Sequence, residues 1–204
     1  MISTLVLAVS IAAVSSLRDR DAEIALARSA GLPPWSQSAS VYVLGPNGYE
    51  KAVEGDSGFT CMVGRDVPGT SWPICFDEVG TESILPRYVR EAELRLAGKT
   101  EEEVRADTAR RFLSGEYRAP SRVGIAYMLS KEAVTSNGKN LLLAPPHLMI
   151  YAPNVRRADL GVVNDHPHSP VVLFEGDPHG YIIVFVDDEP VEIKILGPVP
   201  ESGK

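Results

Sequence analysis

LPRYVREAELRLAGKTEEEVRADTARRFLSG, residues 85–115, reads as two helices in succession, and that reading decides the fold class. Leu85, Tyr88, Val89, Ala92 and Leu96 fall at offsets 0, 3, 4, 7 and 11, one apolar stripe along a helix. Pro86 suits the first helical turn, and Gly98 ends the run. Thr100 opens a second helix. With Glu103 three positions on it forms a capping box, Glu101, Glu102 and Glu103 suit the positive end of the helix dipole, and Gly115 is placed to terminate it. Its inner face is expected to hold Val104, Ala109, Phe112 and Leu113. The two stripes predict a helical hairpin packed on a sheet.

Strand patterns lie on both sides of the pair. Ser40–Leu44 and Tyr49–Val53 are strand-like runs joined by the turn Gly45-Pro46-Asn47-Gly48, and Gly55-Asp56-Ser57-Gly58 makes a second turn. Phe59, Cys61 and Val63 then alternate with Thr60 and Met62, so the first strands form a three-stranded meander. After the helices come Val123–Leu129, Leu148–Ala152, Val171–Phe174, Tyr181–Val186 and Val191–Leu196. The continuous run YIIVFV belongs at the centre of a sheet covered on both faces, and VEIKIL at a half-exposed position. Asp187-Asp188-Glu189-Pro190 joins these two as an acidic hairpin turn. Strands, two helices and more strands give an α+β fold, a single domain over residues 40–204 that is mainly antiparallel sheet with a packed helical hairpin. No internal repeat or second domain is present.

The amino terminus reads as an export signal. Met1–Val14, MISTLVLAVSIAAV, is apolar and uncharged, and small Ser15 and Ser16 offer cleavage sites before the polar LRDRDAE. A retained, buried amino-terminal helix is the alternative. With residues 1–16 removed, no run long enough to cross a bilayer is left, and residues 17–39, holding a short helix over Asp21–Ala30, form an arm or linker. The expected location is secreted or periplasmic. In such an oxidising compartment Cys61 and Cys75, 14 positions apart, make one structural disulfide closing a loop rich in Gly and Pro. A reactive thiol pair or soft-metal ligation is the functional alternative, and no CxxC motif supports it.

Composition narrows the classes further. With 204 residues, 17 Gly, 16 Pro, 2 Cys and 44% hydrophobic content the chain is neither disordered, collagen-like nor disulfide-dense, and a net charge of −7 argues against nucleic-acid binding. That charge is local. Residues 1–157 hold 18 acids and 18 bases, whereas residues 158–204 hold 9 acids against Lys194 and Lys204. A solvated acidic face is one reading, and a cation-collecting surface the other.

All four histidines, His147, His166, His168 and His179, lie in or just before this acidic segment. His147 and Met149 project to one face of a strand, Asp165-His166-Pro167-His168 occupies a loop, and His179 precedes the YIIVFV strand. Imidazoles at strand ends are zinc or copper donors, and a thioether adds softness for copper, although no HExxH or zinc-finger spacing occurs. Alternatively His147 or His179 beside Asp165, Asp177 or Glu175 makes an oriented general base. Ser136-Asn137-Gly138-Lys139 matches SxxK but sits in a turn-like stretch, and GxSxG, GxGxxG and P-loop motifs are absent. Trp35, Trp72 and the prolines around Tyr151 are candidates for a binding surface on rigid loops.

GFTC at Gly58–Cys61, PICFDE at Pro73–Glu78, GIAYMLS at Gly124–Ser130 and PPHLMIYAP at Pro145–Pro153, with the helical pair, resemble a family of uncharacterised secreted bacterial proteins. The resemblance implies export and a bacterial source, draws interest to His147, and carries no activity or cofactor with it. Two functional readings follow. The first is an exported binding or interaction module for a small molecule or protein, without cofactor or membrane segment. The competing one is a periplasmic hydrolase using His147 with His166, His168, His179 and nearby acids, with or without zinc or copper.

Overall fold

A computed structural model describes residues 20–162, 169–186 and 193–201. The chain enters through α1 (Arg20–Arg28) and then forms β1 (Ser40–Gly45), β2 (Gly48–Val53), β3 (Thr60–Gly64) and β4 (Trp72–Phe76). Next come α2 (Glu78–Ser83), α3 (Leu85–Leu96) and α4 (Glu101–Leu113). The second half supplies β5 (Ile125–Met128), β6 (Val134–Ser136), β7 (Asn140–Leu143), β8 (His147–Tyr151), β9 (Val171–Leu173), β10 (Tyr181–Phe185) and β11 (Lys194–Pro198). Among the described residues these strands make an eight-stranded sheet, β2-β1-β3-β4-β5-β8-β10-β9, and a three-stranded sheet, β11-β7-β6. The fold is the expected α+β class. Every strand pair is antiparallel except β1 with β3.

That exception corrects the meander. The β1–β2 hairpin forms as its turn dictates, but β3 then passes to the other side of β1 and pairs with it in parallel, Val41 opposite Cys61. The crossing runs beneath the start of β1, where Asp56 N–H donates to the Ser38 carbonyl and Ser40 N–H to the Phe59 carbonyl. Gly55 lies so close that a Cβ there would collide with the backbone of Ser38 and Ser40. The stretch after Cys61 also differs from expectation. It is a β3–β4 hairpin with all ten strand residues buried. Pro73 obscured β4 in the sequence; it is tolerated because β5 pairs only with Cys75 and Phe76, leaving Pro73 beyond that ladder.

Cross-strand partners share a face, which gives the large sheet two distinct sides. One side, with Met62, Ile74, Phe76, Ala126, Met149 and Tyr181, is covered by α2 and α3. The other side carries Val41, Cys61, Val63 and Cys75 under α1, which packs on β1, β3 and β4. Residues 20–39 are thus built into the body and not a free arm: Leu26, Ala27, Ala30 and Ala39 are buried against the sheet.

The helical hairpin forms with the expected ends. Thr100 Oγ1 accepts from Glu103 N–H at 3.2 Å, and Glu103 Oε2 accepts from Thr100 N–H at 2.9 Å. Its inner face is shifted, however: Val104 and Thr108 are buried, Phe112 is half-buried, Ala109 is exposed, and Leu113 is 89% exposed. The reason is that α4 packs on α3 and not on the sheet, and the α3 surface it meets is polar. Two strand expectations also change. β10 is the second strand from an edge and is half-exposed, and β10 and β11 belong to different sheets, so no hairpin joins them. Residues 187–190, expected as that turn, lie outside the described residues. No helix of the described residues is long and apolar enough to cross a membrane.

Candidate functional site

The β8–β10 register separates the two described histidines. His147 is paired with Phe185 and Tyr151 with Tyr181, so His147 stands at one end of this strand pair and His179, two residues before Tyr181, beyond the other. Four residues of strand span about 13 Å, whereas ligands of one metal ion sit about 2 Å from it. His147 and His179 therefore do not share a metal or a substrate atom. Asp165, His166 and His168 lie outside the described residues. Among the described residues no three His, Cys, Asp or Glu side chains are grouped to hold a metal.

Each histidine has its own packing role. His147 is buried, and its Nδ1 donates to the Pro145 carbonyl at 2.8 Å, which places the lone pair on Nε2. Burial holds its pKa below the ordinary value. Met149, two residues on, is a core residue on the same face. His179 stacks on Phe112 of α4, ring centres 5.4 Å apart, and contacts Phe174 at 4.8 Å. Desolvation, reinforced by the Arg87 charge, pushes its pKa down to about 3. Asp177 is its expected carboxylate partner, and the nearest approach, Oδ2 to Nε2, is 3.9 Å. An imidazole with that pKa is a poor base near neutrality. Glu175 is engaged elsewhere, accepting from Arg157 N–H at 2.8 Å.

The remaining candidates are structural. Ser136 Oγ accepts from Gly138 N–H at 2.9 Å within the β6–β7 turn, so the SxxK match marks a turn. Trp35 stacks on Phe59 at 3.9 Å, and Trp72 lies against Gly64 with its Nε1 donating to Asp66 at 3.2 Å. Cys61 and Cys75 face each other across β3 and β4 with their sulfurs 2.03 Å apart, both fully buried.

Sequence reading missed a buried polar cluster beside His179. Arg87, only 3% exposed, sends Nη1 to Glu91 Oε1 at 3.0 Å, and Thr108 of α4 donates to the same oxygen at 3.1 Å. Its guanidinium lies 4.0 Å from the Tyr88 ring centre and 5.1 Å from that of Phe174. The buried hydroxyl of Tyr181 stands beside this charge. Arg87 and Glu91 are spaced four apart next to the apolar stripe, a pattern that a solvated helix face shows equally often.

A second feature is apolar. Val171, Leu173, Val184, Val186, Ile193, Ile195 and Leu196 are large hydrophobic residues left exposed, and all lie on or beside β9, β10 and β11. They share the carboxy-terminal segment with the acidic excess. Comparison of the chain with known protein families, curated proteins and solved structures found no match.

Proposed function

We propose that the protein is an exported interaction module, whose carboxy-terminal strands β9–β11 dock a protein partner with an apolar surface flanked by basic side chains. The observation that carries this reading is the exposed apolar series from Val171 to Leu196, ending at 64% exposure for Ile195 next to it. These side chains stand on both faces of β9 and β10, at the end of the large sheet where β9 is the edge strand, and on β11 of the second sheet, and exposed apolar residues at an open sheet edge are where association occurs. The partner's charge follows from the segment's own, whose described residues carry Asp159, Glu175, Asp177 and Glu201 against Lys194. Like charge disfavours a second copy of the chain at this surface and favours a basic partner.

Of the pairings the enzyme reading offers, that of His147 with His179 draws no support from the geometry, the two standing at opposite ends of β8 and β10, and His166, His168 and Asp165 lie outside the described residues. A peptide alternating Val and Lys, compared with one alternating Val and Glu, tests the proposal by fluorescence anisotropy. The Val/Lys peptide is expected to bind, with affinity that falls as salt rises, and Ile195→Lys and Val184→Lys are expected to weaken it at least tenfold. Equal affinity for both peptides, no affinity for either, or a stable dimer by light scattering would overturn it.

A further inference from the structure

We infer that the free edge of Arg87 is a binding site for a carboxylate, enclosed by the 174–180 loop and independent of the β9–β11 surface. Arg87 Nε and Nη2 and His179 Nδ1 are buried and make no hydrogen bond among the described residues, and the buried Tyr181 hydroxyl has the Tyr88 hydroxyl beside it without a hydrogen bond of normal geometry. These are not scattered defects. The Phe174 ring touches all three residues: it is 5.1 Å from the Arg87 guanidinium, 4.8 Å from the His179 ring and 6.2 Å from the Tyr181 ring. Buried polar groups left unsatisfied are rare and costly, so several around one ring point to a missing partner.

The chemistry of that partner follows from which atoms are unused. Glu91 occupies Nη1, and Nε and Nη2 form the opposite edge of the planar guanidinium, with two parallel N–H donors. That fork matches the two oxygens of a carboxylate. Glu91 does not neutralise Arg87 alone, because its other oxygen faces Arg95 at 3.5 Å. The Tyr181 hydroxyl supplies a third donor, and the rings of Tyr88 and Phe174 give apolar walls for a short carbon substituent. The loop over the site joins β9 to β10 through Phe174, whose φ of 56° is a left-handed conformation that a non-glycine residue adopts at a cost, and Gly176 at φ 79°. Such a strained residue above sealed donors is suited to a loop that opens for a ligand and closes on it.

The probe is sodium acetate, titrated against sodium chloride at equal ionic strength and pH 7 while thermal unfolding is followed. Acetate is expected to raise Tm saturably, acetamide to leave it unchanged, Arg87→Lys to abolish the acetate effect by losing the fork, and Tyr181→Phe to weaken it several-fold. Should Arg87→Lys fail to fold, Tyr181→Phe carries the comparison. Short peptides with free and amidated carboxy termini separate two sources: a rise with the free form that exceeds the acetate effect assigns a peptide terminus, and no excess assigns a small free acid. Equal Tm in acetate and chloride, an acetate effect unchanged by both substitutions, or a crystal structure in acetate with a single water on the Arg87 edge would sink the inference. Peptide binding at β9–β11 is decided separately by Val184→Lys and Ile195→Lys, which lie outside this site.

Discussion

Arg65, just past the end of β3, grips the Glu23 carboxylate of α1 through two N–H···O bonds, Nη1 to Oε1 at 2.5 Å and Nη2 to Oε2 at 2.8 Å. The Glu23 side chain is only 5% exposed, and Arg65 also reaches the Val63 carbonyl. This pair fixes α1 to the sheet at the point where its apolar face, Leu26, Ala27 and Ala30, enters the core. Removing Arg65 leaves a buried charge without a partner, a loss of about 3 kcal/mol. Urea unfolding of Arg65→Ala is expected to show that loss, and the double variant Arg65→Met with Glu23→Met to recover most of it. Equal stability of Arg65→Ala and wild type would mean that α1 is not anchored here.

The Cys61–Cys75 bridge links adjacent strands in the middle of the larger sheet, and Cys75 Sγ lies 3.5 Å from the Ala27 carbonyl beneath α1. Closing a loop of about 15 residues contributes on the order of 3 kcal/mol through the unfolded chain. Cys61→Ala with Cys75→Ala is expected to lower stability by that amount while retaining the fold, because the other eight buried residues of β3 and β4 still pair around it. Thiol titration of the denatured, unreduced protein should find no free thiol. Two titratable thiols would contradict the bridge.

Acid stability should depend on His179. Its folded pKa of about 3 lies below the ordinary histidine value, so the unfolded chain binds the extra proton between those limits. Stability is complete above roughly pH 6.5 and falls as pH drops towards 3. His147, also lowered by burial, adds to the same limb. His179→Gln is expected to flatten the decline measured by urea unfolding at pH 7 and pH 4.5. A His179 ring titrating between pH 6 and 7 by NMR would show that the desolvated pocket beside Phe112 and Phe174 does not exist.

Thr100→Ala removes an N-cap that both sequence and structure place at the start of α4, a loss of about 1 kcal/mol. Leu113→Ser, at a position that sequence periodicity assigns to the core, is expected to change stability by less than about 0.5 kcal/mol because the side chain is exposed. Thermal unfolding of the two variants separates them, and a larger effect at Leu113 would reverse the packing described for α4. The contrast shows what was legible. The capping box is chemistry between residues three apart, and the β1–β2 turn and the helix ends are equally local, so each could be read directly. The inner face of α4 depends on Arg87 and Glu91 of a different helix, and the parallel β1–β3 pairing depends on Gly55 passing under Ser38; neither leaves a local pattern. The candidate site was legible only in part for the same reason. His179 was visible as a residue type, but its pocket is assembled from α3, α4 and the β9–β10 loop.

Processing of the amino terminus can be predicted from the residues of α1 that hold it to the sheet. Helix α1 is described from Arg20, whose guanidinium meets Glu50 of β2 at 2.9 Å, and Glu23, three residues later, is buried. Cleavage within or after residue 20 would cost the Glu23–Arg65 anchor its helical setting, whereas cleavage after Ser15 or Ser16 leaves all of α1 in place. An export signal ending at these small residues is thus compatible with the fold that follows it. Expressed with its full amino terminus in a Gram-negative host, the protein is expected in the periplasmic fraction, with intact-mass and amino-terminal sequencing placing its first residue at Ser16 or Leu17. A chain that stays in the cytoplasm and keeps Met1 would overturn the export reading, and with it the oxidising setting in which the Cys61–Cys75 bridge forms.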